Sequence, residues 1–159
     1  MLIRPAALIE ANLISALMYQ SKAHWGYTPT QMTSWMPDLT VSENTITAGS
    51  VWVGDIDGQI VAVLVLKPAA SIWELAHLFV ANSAMRRGLG QQMFGHAVSV
   101  ARAHGAVALD IDADPNAEAF YLVCGATRIS TVAAPIETDP NRIRPQMRFM
   151  IKPYDGRPM

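Results

Sequence analysis

The stretch Met85–Phe94, MRRGLGQQMF, decides the fold of this chain. Two arginines run into Gly88 and Gly90, and the apolar spacing that follows predicts a helix that begins at once. The first turn of a helix leaves about four backbone N–H groups without intrahelical partners. Glycine lets an anion approach such groups without a Cβ in the way. The turn is therefore predicted either to hold a phosphate group or to serve as an ordinary sharp connection.

Residue composition and helix-ending or capping residues predict the elements around this turn. The run Ser71–Val80, SIWELAHLFV, predicts a strand before it, and the helix after it is expected to reach His104 and stop at Gly105. A further strand, AVALDID, comes next. The segment DPNAEAFYLVCG then predicts a helix with Asp114 as its cap and Pro115 in its first position. The predicted order is strand, glycine turn, helix, strand, helix.

The first half of the chain predicts a short strand at Leu2–Arg4 and then a helix with Pro5 in its first position. Thr28 or Thr30 is expected to cap a second helix. The expected buried face of the first helix is Leu8, Ala11, Leu13, Leu17 and Met18.

Turn signals predict strand pairs later in the chain. Asp57-Gly58 separates two β-rich runs and predicts a hairpin. ATRIS and QMRFMIK predict a final antiparallel pair, with a proline-rich loop between them that carries Arg142 and Arg144.

Bulk composition limits the classes of protein. The chain has 159 residues, of which 51% are hydrophobic and 16% charged, and a net charge of -1. These values predict one folded domain, residues 1–159, and do not indicate a nucleic-acid partner. The single cysteine, Cys124, excludes an intrachain disulfide and favours a reducing compartment. No run is long and apolar enough to cross a membrane and no cleavable leader is recognised, so we expect a cytoplasmic protein. The histidines lack metal-ligand spacing.

Two motifs together resemble the GNAT acetyltransferase superfamily. RRGLGQ is similar to the core of its acetyl-CoA pyrophosphate loop, with Met85 where glutamine or arginine is usual. DPNAEAFYLVCGA is similar to its asparagine- and tyrosine-containing helix, with Asp114 at the asparagine position and Asn116 two places later. The resemblance implies an α+β fold: a mixed, mostly antiparallel twisted sheet, helices on both faces and a splayed central strand pair.

The resemblance also implies acetyl-CoA as the cofactor. In this pattern, backbone N–H groups at the end of the strand before the turn hold the pantetheine arm and the acetyl carbonyl. The implied cofactor-binding residues are Phe79, Val80, Met85, Arg86, Arg87, Gly88, Leu89, Gly90, Gln91, Asp114, Asn116 and Tyr121.

Three side chains are catalytic candidates. Tyr121 matches the family's tyrosine that protonates the coenzyme A thiolate; the alternative is a packed core tyrosine. Glu74 or His77, on opposite faces of a regular strand, would be the base that deprotonates the amine. Both also fit structural roles, Glu74 as a solvent-facing residue and His77 as a half-buried imidazole.

The acceptor site is expected near the end of the first helix. His24, Trp25 and Tyr27 are predicted to line it, and Trp25 and Tyr27 could frame a flat or cationic group. Packing or a dimer contact is the alternative. Arg142 and Arg144 in the late loop are expected to be solvated on the surface. The alternative is that they reach over the acceptor mouth to an acidic group, and Arg144 is the substrate-binding candidate.

The predicted function is transfer of an acetyl group from acetyl-CoA to a primary amine of a small molecule in a ternary complex. The alternative is a non-catalytic acetyl-CoA-binding sensor or interaction module. A peptide or protein acceptor is a weaker third hypothesis. The apolar composition is compatible with a homodimer.

Overall fold

The structure, a computed structural model, describes residues 1–157. Seven strands form one sheet: β1 Leu2–Pro5, β2 Val51–Ile56, β3 Gln59–Lys67, β4 Ile72–Val80, β5 Ala108–Asp112, β6 Thr127–Ala133 and β7 Ile143–Met150. Five α-helices accompany them: α1 Ala11–Ala23, α2 Pro29–Trp35, α3 Glu43–Thr47, α4 Leu89–Ala103 and α5 Glu118–Val123. Short 3₁₀-helices occupy Leu8–Glu10, Asn82–Ala84 and Pro115–Ala117.

The sheet is mixed and mostly antiparallel, with the strand order β1-β2-β3-β4-β5-β7-β6. Its parallel pair is β4 with β5, whose register covers three residue pairs, from Ile72↔Ala108 to Glu74↔Asp110. Both strands continue past Glu74 and Asp110, so this pairing stops partway along them. The predicted fold class is confirmed.

Contacts divide the chain into two compact units. The first comprises Met1–Leu66 and His77–Gly95, and the second comprises Lys67–Ala76 and the chain from His96 onward. β4 and α4 therefore each contribute residues to both units.

The first unit contains the β2–β3 hairpin that Asp57-Gly58 predicted. Asp57 and Gly58 both have positive φ, 53° and 83°, as a tight hairpin turn requires, and Ile56 pairs with Gln59. The Asp55 carboxylate accepts a hydrogen bond from the Gly58 N–H at 2.7 Å. The predicted cap Thr28 is also confirmed, because its hydroxyl accepts from the Gln31 N–H.

The second unit contains the β5–β7–β6 ladder, in which both pairings are antiparallel. Gly105, with φ 84°, follows the end of α4 as predicted. β6 lies at the edge of the sheet, and all seven of its residues are exposed. Among residues 1–157, every helix is too short or too polar to span a bilayer.

Two expectations for the start of the chain are wrong. Pro5 lies in β1, opposite Trp52, and not in a helix. β1 is an edge strand, where a missing N–H is tolerated. The predicted α1 face is right only at Met18, which is buried together with Ile14 and Ser21, whereas Leu13 is 65% exposed and Leu8 is 47% exposed.

Candidate functional site

The glycine turn has the backbone geometry of an anion site. Arg86 and Gly88 adopt left-handed conformations, with φ of 62° and 74°. Arg87 between them does not have positive φ, so the sign of φ alternates along the turn, as it does in backbone concavities that bind anions. α4 begins at Leu89, and the Gln92 N–H donates to the Gly88 carbonyl. The N–H groups that precede Gln92 in α4 have no intrahelical acceptor.

The side chains of the glycine turn also suit an anion site. Arg86 and Arg87 are exposed and form no ion pair within residues 1–157. A Cβ added at Gly88 would meet no atom within 4 Å, so the space in front of this backbone is open. Leu89 is only 5% exposed and fastens the first turn of α4 to the core. Gly90 and Met85 are half-buried and Gln91 is exposed. The backbone at Gly88 is therefore open on the side where a Cβ would stand, and two exposed cations lie beside it.

The two candidate bases on β4 differ in environment. Trp73 and Leu75 are buried, whereas Glu74 between them is exposed, so the predicted alternation holds at this end of the strand. His77 is half-buried, and its ring stacks on that of Phe79 at 5.9 Å. Glu74 belongs to the second unit and His77 to the first. The choice of base stays open.

Tyr121 is a buried phenol. It lies in α5, is 5% exposed, and its ring contacts Phe120 edge-to-face at 5.1 Å. Burial raises the pKa of Tyr121 well above its ordinary value, and the Cys124 thiol and the Asp114 carboxylate raise it further. The phenol is therefore protonated throughout the neutral range and can donate a hydrogen bond. Burial also raises the pKa of the Cys124 thiol, in keeping with a packing role.

Asp114 caps the turn that leads into α5, as predicted. Its carboxylate accepts hydrogen bonds from the backbone N–H and the side-chain amide of Asn116, at 2.8 and 2.9 Å. The other carboxylate oxygen lies 3.6 Å from the Arg142 guanidinium. Arg142 is 6% exposed, so the expectation of a solvated surface arginine is wrong. The sequence of the proline-rich loop does not show that the loop places Arg142 against the largely buried Asp114 carboxylate.

The aromatic residues after α1 are arranged differently from the prediction. Trp25 is 45% exposed and contacts the exposed His24 edge-to-face. Tyr27 instead packs edge-to-face against Trp35 at 4.7 Å. The Lys22 ammonium lies 4.7 Å from the Trp35 ring centre and 5.5 Å from that of Tyr27. The aromatic pair therefore already holds a cation from the chain itself.

Arg144 lies on β7 and not in a loop. Its guanidinium donates to the Asp112 carboxylate at 2.9 Å, and the Gln146 side-chain amide donates to the same oxygen. Both Arg144 and Asp112 are about two-fifths exposed. A substrate-binding role for Arg144 stays a prediction.

One contact at the end of β4 was not foreseen. The Ser21 hydroxyl, on the buried face of α1, donates to the Val80 carbonyl at 3.0 Å. The sequence does hold a signal for it: Ile14, Met18 and Ser21 follow helical spacing, so a serine continues an apolar stripe. The first unit thus holds the glycine turn, the end of β4, Ser21 and the aromatic residues after α1. The second unit holds Tyr121, Glu74, Arg144 and the Asp114 network.

Comparisons with known proteins identify a family and agree with this fold. A family model described as "Acetyltransferase (GNAT) family" matches residues 18–126, more than half of the chain. Solved structures resemble it at low identity. PaiA N-acetyltransferase from Thermoplasma acidophilum, solved with coenzyme A, is 15% identical with a TM-score of 0.77, over 94% of this chain and 98% of that one.

Two further structures show the same fold. A GCN5-related N-acetyltransferase from Rhodopseudomonas palustris is 20% identical with a TM-score of 0.75, over 94% of both chains. YncA from Salmonella typhimurium, a putative acetyltransferase solved with acetyl-CoA, is 14% identical with a TM-score of 0.71, over 99% of this chain and 98% of that one. No curated protein sequence matches the chain.

Proposed function

This chain belongs to the Acetyltransferase (GNAT) family, and from that premise we propose that it acetylates a primary amine of a small molecule. Membership gives the enzyme class and the acetyl donor: the chain is an acetyltransferase that uses acetyl-CoA. The acceptor and the roles of individual residues are our proposal.

The observation that carries the proposal is the open turn at the start of α4. A pyrophosphate needs several converging N–H donors and nearby positive charge. The alternating backbone at Arg86 and Gly88 supports the first requirement, and the exposed side chains of Arg86 and Arg87 support the second. Hydrogen bonds to charged groups contribute about 1.5–3 kcal/mol each. A few of them would hold coenzyme A firmly.

We assign the chemical steps to residues as follows. Glu74 or His77 accepts the proton of the amine, directly or through water, because an alkylammonium with a pKa of about 10.4 is almost entirely protonated at pH 7. The backbone N–H groups of Phe79 and Val80 stabilise the oxyanion that forms when the amine attacks the thioester carbonyl. As that intermediate collapses, the carbon–sulfur bond breaks and Tyr121 donates a hydrogen bond to the departing thiolate. The base passes its first proton to water and takes the second proton from the nitrogen, and the thiolate acquires its own proton from water.

The raised pKa of Tyr121 has two consequences for this step. It keeps the phenol protonated, so a donor is always present. It also makes full transfer of the Tyr121 proton to a coenzyme A thiolate, whose ordinary pKa is about 8.5, unfavourable. We therefore assign Tyr121 a hydrogen bond that strengthens as negative charge develops on sulfur.

Binding and turnover test the proposal separately. Isothermal titration calorimetry with coenzyme A and acetyl-CoA is expected to show 1:1 binding. Thiol release from acetyl-CoA is then measured against a panel of mono-, di- and polyamines, amino acids and aminoglycosides. Tyr121→Phe is expected to lower kcat while leaving the Kd for acetyl-CoA within about threefold. No binding to either form of the cofactor would refute the proposal.

The alternative hypotheses make different predictions. A non-catalytic acetyl-CoA sensor would bind the cofactor, release no thiol with any amine, and behave alike in wild type and Tyr121→Phe. A peptide or protein acceptor would appear as turnover with peptide amines only.

We also propose that residues 1–159 act as one cytoplasmic domain that can form a homodimer. The single cysteine, Cys124, supports a reducing compartment. The exposed edge strand β6 supports self-association, because an unpaired strand edge offers backbone hydrogen bonds to a second chain. Sedimentation of the purified protein measures the oligomeric state.

A further inference from the structure

The peptide that joins Val80 to Ala81 is fixed on both sides by other elements. Its carbonyl accepts a hydrogen bond from the Ser21 hydroxyl of α1 at 3.0 Å. Its N–H donates to the Val61 carbonyl of β3 at 2.8 Å. In a trans peptide these two groups point in opposite directions. Two bonds to two different elements therefore define the orientation of this peptide plane.

The Ser21 hydroxyl bonds to β4 and not to its own helix. A serine within a helix commonly returns its hydroxyl to a carbonyl of the preceding turn. Ser21 instead donates across to β4, 59 positions along the chain, and is 5% exposed. A buried hydroxyl on an apolar helix face costs free energy unless it is hydrogen-bonded, so an alanine would serve packing better. Packing alone does not account for a serine here.

A second contact from α1 supports the same segment. The Asn82 side-chain amide donates to the Gln20 carbonyl at 3.3 Å. Consecutive residues of α1, Gln20 and Ser21, thus contact the residues on either side of Ala81. The Ala81 carbonyl then accepts from the Ala84 N–H and closes the 3₁₀-helix that leads to the glycine turn.

We propose that Ser21 is a positioning residue for acetyl-CoA binding, because its hydroxyl fixes the Val80–Ala81 peptide that links the end of β4 to the glycine turn. This inference rests on the proposed function. Val80 carries one of the N–H groups assigned to the acetyl-CoA arm, and Gly88 lies eight residues further along the same segment. Loosening the peptide would misalign both sets of donors, and the amine site would be affected less.

The test compares Ser21→Ala with a matched control, Ser15→Ala. Ser15 also lies on α1, and its hydroxyl accepts a hydrogen bond from the Val41 N–H at 2.9 Å. Both variants remove one serine hydrogen bond from the same helix, but the bond of Ser15 goes to Val41 and not to β4. A lost hydrogen bond of about 1 kcal/mol corresponds to roughly fivefold in affinity.

We expect Ser21→Ala to raise the Kd for coenzyme A and the KM for acetyl-CoA about fivefold, with the KM for the amine unchanged. Ser15→Ala should change these constants by less than about twofold, even if both variants lower the melting temperature equally. Ser21→Thr, which keeps the hydroxyl, should restore the coenzyme A affinity. An unchanged Kd in Ser21→Ala, or an equal change in Ser15→Ala, would overturn the inference.

A surface variant keeps the test usable if Ser21→Ala does not fold. Asn82 is exposed, and Asn82→Ala removes only its bond to the Gln20 carbonyl. We expect a two- to threefold rise in the Kd for coenzyme A, and no change would contradict the inference. If the wild-type protein binds no coenzyme A, the proposed function fails and this inference fails with it. If the wild type binds and both variants bind equally well, only this inference fails.

Discussion

Gly88→Ala is expected to have two effects that can be measured separately, a small loss of folding stability and a larger loss of coenzyme A affinity. Gly88 has φ 74°. An alanine in this left-handed region costs about 1–2 kcal/mol, partly offset by the lower entropy of the unfolded chain. The added Cβ would meet no protein atom within 4 Å, so no packing penalty adds to this. We therefore expect Gly88→Ala to lower the free energy of unfolding by only about 1 kcal/mol.

Gly49 is the matched control. It follows α3, has φ 75°, and an added Cβ there would also meet nothing within 4 Å. Gly49→Ala should therefore carry the same conformational cost, and urea unfolding should give nearly equal losses of stability for the two variants.

Coenzyme A binding should distinguish the two variants. At Gly88 the methyl group would occupy the space through which a phosphate reaches the backbone, and losing one charged hydrogen bond of about 1.5–3 kcal/mol corresponds to a rise in Kd of about 10- to 150-fold. Gly49→Ala should leave the Kd within twofold. Titration calorimetry at equal temperature and salt measures both. Equal Kd values for the two variants would refute the assignment of the turn.

Three further predictions concern stability. In the folded protein the pKa of Tyr121 is raised above its ordinary value of 10.0. Its contribution to the free energy of unfolding is therefore complete below pH 10 and is lost as the pH rises further, since the Tyr121 phenol ionises first in the unfolded chain. Urea unfolding between pH 9 and 11 should show this decline in wild type and a shallower one in Tyr121→Phe; equal slopes would contradict it. Arg142→Gln should cost about 3 kcal/mol, because it leaves the largely buried Asp114 carboxylate without its cation. Arg144→Gln should cost about 1 kcal/mol or less despite its shorter ion pair, because that pair is exposed, and a reversed order of the two losses in urea unfolding would show that distance outweighs burial. A double-mutant cycle between Lys22→Gln and Trp35→Leu should give a coupling of about 0.5–1 kcal/mol for the cation–π contact; zero coupling would exclude it.

Local chemistry explains which elements could be predicted. The hairpin turn at Asp57-Gly58, the cap at Thr28 and the stop at Gly105 each follow from conformations that only certain residues adopt easily. The run of buried residues in α4, including Leu89, Met93 and Ala97, follows from its regular apolar spacing. The α1 face was predicted correctly only at Met18, because this helix has apolar residues on more than one side.

The residues of the candidate site also differ in whether the sequence could predict them. The glycine turn could be proposed from sequence as an anion site because that proposal depends on backbone geometry, which Gly88 controls locally. Arg142 and Ser21 could not, because each acts on a residue distant in the chain: Asp114 lies 28 positions from Arg142, and Val80 lies 59 positions from Ser21.

The sequence by itself therefore determined the family and the order of the elements, and it predicted an anion site at the glycine turn, since each depends on residues within a few positions of one another. Only the tertiary structure decided which polar side chains are buried, which partner each contacts, and that Lys22 occupies the aromatic pair Tyr27 and Trp35. Such pairings depend on how separate elements pack, and a single buried hydrogen bond or ion pair produces no periodic pattern in the sequence.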